Sequence, residues 1–402
     1  SVGKIAFTGS GDKSLLLKAK GDCVVNGGFL WIRGNMNIVN NRTGNTRLLS
    51  DDHYLQFDGN LDYRGSAVSN NDTDTTFLVS GFTGIDIKGN VTVTMDSTGH
   101  TAFKSPNGHI HIKGDLKFAQ HMWGFNGGSY NIGHKGYLGG GDICSPDANY
   151  YGENGFSILA LGDACGTGDC NNRPGLGYVW IEGNVDTKNE EHGSVSIKAA
   201  HHHLAIDGDL KHRGVEGDLN IIAGTGKYDP CCDGTCPNTE TPFPWYYDDN
   251  GCGIYKRSVL TDLQRYKPGD AKTVWEDDGS LIGYPPTLPT DGTLDFSHAG
   301  RGYVYIGGDV DIVMDSIGKA RIQSMSDFVQ LDKSLKYVGK KGSDLNVDGF
   351  YGIGILGDIT TENTAYVDTL QGDYSQKQGG RTTFYSDTGF IEFRGNYRHD
   401  AH

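Results

Sequence analysis

A nine-residue pattern, apolar-x-apolar-x-Gly-Asn/Asp-apolar-x-apolar, recurs along almost the whole chain and restricts its fold more than any other feature. It occupies Leu30–Ile38, Leu55–Tyr63, Ile85–Val93 and Ile110–Phe118, and further copies centre on Gly183, Gly208, Gly308, Gly357 and Gly395, with a weaker one on Gly21. Alternation with period two marks a half-buried strand, so each copy is expected to form one. The glycine falls in phase with the apolar positions, where it either points inward without a side chain or marks a bend.

The copies are regularly spaced. Centres lie 25 residues apart from Gly34 to Gly59, 30 to Gly89, 25 to Gly114, and 25 from Gly183 to Gly208, while the 49 residues from Gly308 to Gly357 are close to two units. One strand motif per unit of this length is the signature of a solenoid. Alternation excludes helical repeats, and the long period with only 11 prolines excludes collagen. A propeller blade needs about 40–45 residues, and a leucine-rich repeat needs its own consensus. The expected fold is all-β: a parallel β-helix of about ten coils at roughly 4.8 Å each, a rod near 50 Å long. The 61 glycines and 36% hydrophobic content fit short strands with tight corners, and 21 tyrosines argue against disorder.

Two steps break the period, 69 residues from Gly114 to Gly183 and 100 from Gly208 to Gly308, with a half-copy at Gly217–Ile221. With no linker visible, residues 1–402 read as one β-helix domain with insertions near 119–177 and 224–300. Long insertions on a solenoid emerge from one face and often carry binding. Seven of the eight cysteines fall between 144 and 252. Cys165 and Cys170 are placed to close a small disulfide loop, and Cys231, Cys232, Cys236 and Cys252 to form others, the connectivity being open. Zinc on the last four is the rival reading, but they lack paired C-x2-C arms. Disulfides imply an oxidising compartment. With no signal peptide visible at Ser1, the chain reads as a mature or trimmed extracellular segment. A net charge of −15 argues against nucleic acid, and the lack of an apolar run of 18 residues against membrane insertion within this chain.

Outward positions of the repeat are those a partner touches. Three residues before each glycine stand Trp31, Gln56, Asp86, His111, Trp180, Ala205, Tyr305, Gly354 and Glu392. Planar aromatics on a flat face suit the apolar faces of pyranose rings, and exposed patches of this kind mark interaction sites. The candidate carbohydrate-binding residues are therefore Trp31, Trp180 and Tyr305, with Trp123, Trp245, Tyr246 and Tyr247 of the insertions. The rival reading is that an insertion folds back and buries them. The Asn or Asp after each glycine is expected to form a ladder between coils. Its acidic members leave a structural calcium open, and no other cofactor is called for.

No catalytic residue emerges. His201, His202 and His203 alternate between faces, which argues against a metal site. The pairs Asp51-Asp52, Asp248-Asp249 and Asp277-Asp278 are of a kind common on solvated turns, although paired carboxylates do carry glycoside hydrolysis. Of the motifs of β-helical polygalacturonases, Gly-His-Gly is missing and Arg321-Ile-Gln lacks the lysine. No nucleotide-binding, serine-hydrolase or zinc-protease motif is present. The chain reads as a non-enzyme.

The run of Gly-Asn/Asp-centred strands with long insertions resembles β-helical surface proteins found beside bacterial type IV pilus genes. It is most similar to the binding domain of tapirins, cell-surface adhesins that attach cellulolytic bacteria to cellulose. The resemblance is architectural and spans about Leu17 to Tyr397. It implies a non-catalytic, extracellular binder of insoluble polysaccharide such as cellulose, with pilus or cell-envelope association, meeting fibres through a flat, partly apolar face; no individual residue is carried over. Two alternatives stand beside it. A polysaccharide lyase or hydrolase would need clustered charges, whereas outward Arg33, Lys88, Lys113 and Arg394 alternate with Asp58, Glu182 and Asp207. A fibre subunit would need uncapped ends, whereas the polar Arg394–Asp400 is expected to act as a cap.

Overall fold

The Gly-Asn/Asp dipeptide turns the chain from one sheet into the next, and each nine-residue copy is two strands joined by a corner. Leu55–Phe57 belongs to one sheet and Leu61–Gly65 to another, with Asp58–Asn60 between them. The expectation of one continuous strand per copy is corrected here, and the cause is close approach of the backbone. A Cβ on Gly59 would lie 2.5 Å from the carbonyl carbon of Gly34 in the preceding coil, so glycine lets the coils approach closely at this corner.

The computed structural model describes residues 3–9, 15–20, 29–40, 46–51, 53–65, 75–96, 100–106, 108–120, 155–160, 177–200, 203–224, 302–316, 318–325, 327–340, 342–350, 352–364, 380–387 and 389–401. All eight cysteines, Trp123, Trp245, Tyr246, Tyr247, His201 and His202 lie outside the described residues, and with them the disulfide and zinc readings.

The protein is an all-β parallel β-helix with three parallel sheets. Sheet A has eleven strands, from Gly3–Gly9 to Tyr397–Ala401; sheet B has ten, from Leu16–Ala19 to Thr382–Ser386; sheet C has ten, from Leu30–Ile32 to Phe390–Phe393. The chain visits A, B and C in turn, so each strand pairs with the one three further on. The second outsized step is spanned without loss of register: Leu204 pairs Val304. Within the stretch 119–177, Gly155–Ala160 is a strand of sheet B, paired to His100–Ser105 and Ser194–Ala199. The 49-residue step hides a coil whose corner is Lys333-Ser334, flanked by strands Phe328–Leu331 and Leu335–Gly339.

The residue after each glycine ties the coils together. Asn60 N–H donates to Asn35 Oδ1 at 2.9 Å across 25 residues, and Asn90 N–H to Asn60 Oδ1 at 2.9 Å. The same bond spans both long steps, from Asn184 N–H to Asp115 Oδ1 at 2.9 Å and from Asp309 N–H to Asp209 Oδ1 at 3.0 Å. Acidic members therefore serve as acceptors for backbone N–H groups that the corner leaves without a strand partner.

Inward positions form the core. Met36, Leu61, Val91, Leu116, Val185 and Leu210 follow one another on sheet A and are fully buried. At the inward row nearest sheet B, Gly65 and Gly214 leave gaps that Tyr63 and His212, two residues earlier, fill: a Cβ at either glycine would meet the ring at 2.8 Å. Tyr63 also stacks on Phe77, ring centroids 4.0 Å apart. Arg394–Asp400 continues the stack by one more strand. It runs into the strand Tyr397–Ala401, and Tyr397 takes the inward register of Ile359.

Candidate site on the outer face of sheet C

Sheet C presents short strands whose outward residues make two rows. One row holds the residues three before the glycine, from Trp31, Gln56, Asp86 and His111 through Trp180, Ala205 and Tyr305. It continues through Gln330, which the missing glycine at Lys333 conceals in the sequence. The other row lies five residues before the glycine and includes Tyr54, His109, Tyr178, His203 and Tyr303. The two rows divide along the axis into a buried part and an exposed part.

In the buried part, Tyr178, Trp180, Ala205, Tyr303 and Tyr305 form a hydrophobic cluster separate from the solenoid core, with Phe328 packed against it. Trp180 is 3% and Tyr305 5% exposed, although alternation points both outward. The rings stack along the axis: His109 on Tyr178 at 4.9 Å, Tyr178 on His203 at 5.1 Å, His203 on Tyr303 at 5.0 Å, and His111 on Trp180 at 4.6 Å. Strands repeat at about 4.8 Å, within the range of about 4.5–7 Å between the centroids of interacting rings, so the sheet spacing itself builds the stack. The ring planes are within 5–13° of parallel, so face meets face along the stack.

Polar groups complete this part. His111 lies between two carboxylates, Nε2 3.1 Å from Glu182 Oε1 and Nδ1 3.6 Å from Asp86 Oδ1. Tyr305 donates its hydroxyl to Asp332 at 2.8 Å, and Gln330 donates to the same carboxylate at 2.6 Å. Burial brings the His203 imidazole down to about 4, and burial with the neighbouring His111 brings His109 down to about 3. Both rings stay neutral at ordinary pH.

The exposed part lies toward the first coil. Trp31 is 43% exposed, and its indole N–H donates to Asp58 Oδ2 in the next coil at 2.8 Å. The Arg33 guanidinium sits 3.8 Å from the centre of its ring. Gln56 donates to the other Asp58 oxygen at 2.8 Å, and Lys88 approaches that oxygen at 3.3 Å. Desolvation pushes the Asp58 carboxyl up, but the hydrogen bonds from Gln56, Trp31 and Lys88 outweigh it and hold the carboxyl below the usual carboxylate value. Beside this group Phe29 stacks on Tyr54, centroids 5.7 Å apart.

The structure therefore brings Trp180 and Tyr305 into one buried cluster and leaves Trp31 apart from them on the surface. Among the described residues no three His, Cys, Asp or Glu side chains gather as a metal site. Asp51, of the first acidic pair, holds Lys18 at 2.6 Å. The row at Tyr54, Tyr178 and Tyr303 was not among the sequence candidates, yet its signal is there as an aromatic or histidine five residues before the glycine. No protein-family model, curated protein or solved structure matches this chain. Fold and face together define a three-sheet parallel β-solenoid with an aromatic outer face.

Proposed function

We propose that the protein is a tapirin-like extracellular adhesin that binds insoluble plant-type polysaccharide, cellulose being the first candidate, without cleaving it. The observation that carries this reading is Trp31: an exposed indole on a flat strand face, fixed by Asp58 on its N–H and Arg33 over its ring. A fixed ring loses little freedom on binding, and an apolar plane edged by an amide, a carboxylate and an ammonium suits a pyranose with its ring of hydroxyls. Phe29 and Tyr54 extend the apolar strip. On this reading the cysteines pair as disulfides that staple the insertions, as an oxidising exterior permits, and Trp123, Trp245, Tyr246 and Tyr247 add contacts. Cell-surface placement with pilus or cell-envelope association, no nucleic-acid partner and no membrane insertion within this chain belong to the same reading.

A second reading, a glycoside hydrolase or polysaccharide lyase, is favoured by one observation: His111 between Asp86 and Glu182 is a proton-transfer arrangement. One assay separates the two. The protein is incubated with microcrystalline cellulose, xylan, chitin and pectin, and bound fraction and released sugar are measured. Depletion without sugar release is expected; sugar release overturns the adhesin in favour of the enzyme. Trp31→Ala is expected to weaken binding by about tenfold, since losing an exposed stacking ring costs on the order of 1.4 kcal/mol.

A further inference from the structure

The residue just before each corner glycine forms a third outward row, along the edge where sheet C turns into sheet A. Backbone bonds fix its order: Asp58 N–H donates to the Ile32 carbonyl, Lys88 to Phe57, Lys113 to Ile87, Glu182 to Ile112, Asp207 to Ile181 and Asp332 to Ile306. The row therefore reads Arg33, Asp58, Lys88, Lys113, Glu182, Asp207, Gly307 and Asp332. As far as Asp332, every cation in it precedes Glu182, and every carboxylate but Asp58 follows Lys113. The fold does not impose this order of charge. The adjoining corner row accepts the next coil's N–H with neutral amides at Asn35, Asn60 and Asn90, and with carboxylates at Asp115, Asp209, Asp309 and Asp358. Either group makes the bond.

Lys88 and Lys113 are the pair that needs a cause. They stand side by side on interior coils, with a paired strand on either side. Like charges directly opposite across a ladder are unfavourable. The carboxylates nearby are engaged elsewhere. Asp58 receives Trp31, Gln56 and Lys88. Asp86 and Glu182 face the two nitrogens of His111, and Asp115 accepts from Asn184. Lys113 is within ion-pair distance of no carboxylate among the described residues, and the Arg33 guanidinium rests on the Trp31 ring. We infer that this edge takes the carboxylate of a uronic acid unit between Lys88 and Lys113, so that the polysaccharide bound at Trp31 is an acid-bearing one. The inference rests on the polysaccharide reading and adds a substrate class to it.

Chemistry selects this ligand class. An oxyanion between two ammonium groups relieves their repulsion and accepts charge-assisted hydrogen bonds from both. Strands repeat at about 4.8 Å, so the two lysines start that far apart and can share one carboxylate. A carboxylate carried on a pyranose also brings an apolar ring face for the Trp31 strip, whereas a small free anion would use the lysines alone. The edge is an exception in an acidic chain. At a net charge of −15 the protein as a whole repels a polyanion, so attraction must come from contacts within a Debye length, about 8 Å at 0.15 M salt. A fibre with scattered uronate units suits that balance better than a dense polyanion.

The test compares depletion on microcrystalline cellulose with depletion on the same cellulose after mild surface oxidation, which turns a few primary hydroxyl groups into carboxylates. Binding to the oxidised fibre should be about three- to tenfold tighter at about 0.15 M salt, two surface ion pairs being at stake. That gain should vanish at about 1 M salt, where the Debye length is about 3 Å. Equal binding to both fibres overturns this inference and leaves the polysaccharide reading standing. Depletion on neither overturns both, and a gain that persists at high salt counts against the lysines. Lys113→Gln should cut the ratio of oxidised to plain binding about threefold, and Lys113→Arg should keep it. Lys336→Gln makes the same change of charge on the exposed face of sheet A and should leave the ratio at the parent's value. An equal fall in Lys113→Gln and Lys336→Gln would trace the gain to net charge, and an unmoved ratio in Lys113→Gln would remove the lysine pair; either overturns the assignment. Denaturation midpoints check that each variant is folded. Should Lys113→Gln fail that check, Lys88→Gln takes its place with the same expected fall.

Discussion

Trp31 and Trp180 occupy the same position of the same repeat on the same row of sheet C, and they are used in opposite ways. Trp31 has a guanidinium on its ring, a carboxylate on its N–H and a large part of its surface in solvent. Trp180 stacks on His111 within a buried cluster. Alternation decides that a side chain points away from the core; it does not decide that the side chain is accessible. A stacked row of rings, each with its face against the next, is structural material. A ring with an open side is a binding element. The middle of sheet C is therefore built as a second, smaller core, and its first coils as a surface.

The sharpest way to break this contrast is to truncate each tryptophan. Trp180→Ala is expected to destabilise the protein by about 3–5 kcal/mol, the usual cost of removing a large buried aromatic. Trp31→Ala should change stability by less than about 1 kcal/mol, because its partners are exposed. Chemical denaturation midpoints of the two variants measure the gap. Equal losses would mean that the two halves of the face are one structural unit and that Trp31 is not set aside for a partner.

The halves should also separate by pH. His109 and His203 are held neutral in the ring stack, at about 3 and about 4 against an ordinary value of 6.5. Below pH 6.5 the unfolded chain takes up protons that the folded stack refuses, so stability falls as pH drops from about 6.5 toward 4. His212, buried inside the solenoid beside Thr187, is pushed down to about 4 as well and adds to the same slope. Replacing His203 with Phe keeps a ring in the stack and removes one titrating group. The variant should therefore lose less stability than the parent between pH 7 and 5, read as the shift of the urea midpoint, and an unchanged shift would place His203 in contact with water. The exposed half behaves differently. Asp58 contributes above its ordinary value of 3.8, and that contribution disappears only as pH falls through its lower folded value.

The architecture was legible because one inward row of sheet A is apolar at every coil, from Met36 to Ile359, and period-two alternation exposes such a row directly. The corners were less so. In a linear pattern Gly59 looks like a glycine within a strand; only the stacked neighbour, Gly34, shows that the chain must turn there. Sheet B carries no glycine marker, which is why Gly155–Ala160 passes for part of an insertion. Lys333-Ser334 erases one corner's signature altogether while the flanking Val329, Leu331 and Leu335 keep its rows apolar. For the site, the outward direction of Trp31, Trp180 and Tyr305 follows from alternation. Their different burial depends on what lies over each part of the sheet, which no local spacing encodes.

The smallest expected effect tests how Trp31 is held. Asp58→Asn keeps the shape of the side chain but removes the charge that accepts from Trp31, Gln56 and Lys88. All these groups are near solvent, where such a pair contributes little to folding, so stability should move by no more than about 0.5 kcal/mol. Binding is another matter. An indole released from Asp58 samples several rotamers, and a partner must then fix it at a cost of about 0.5–1.5 kcal/mol for one immobilised side chain. Depletion on cellulose should weaken two- to tenfold at unchanged denaturation midpoint, about what that cost converts to. Parallel loss of both would tie Asp58 to the fold, and unchanged binding would mean that the carboxylate does not pre-set the ring.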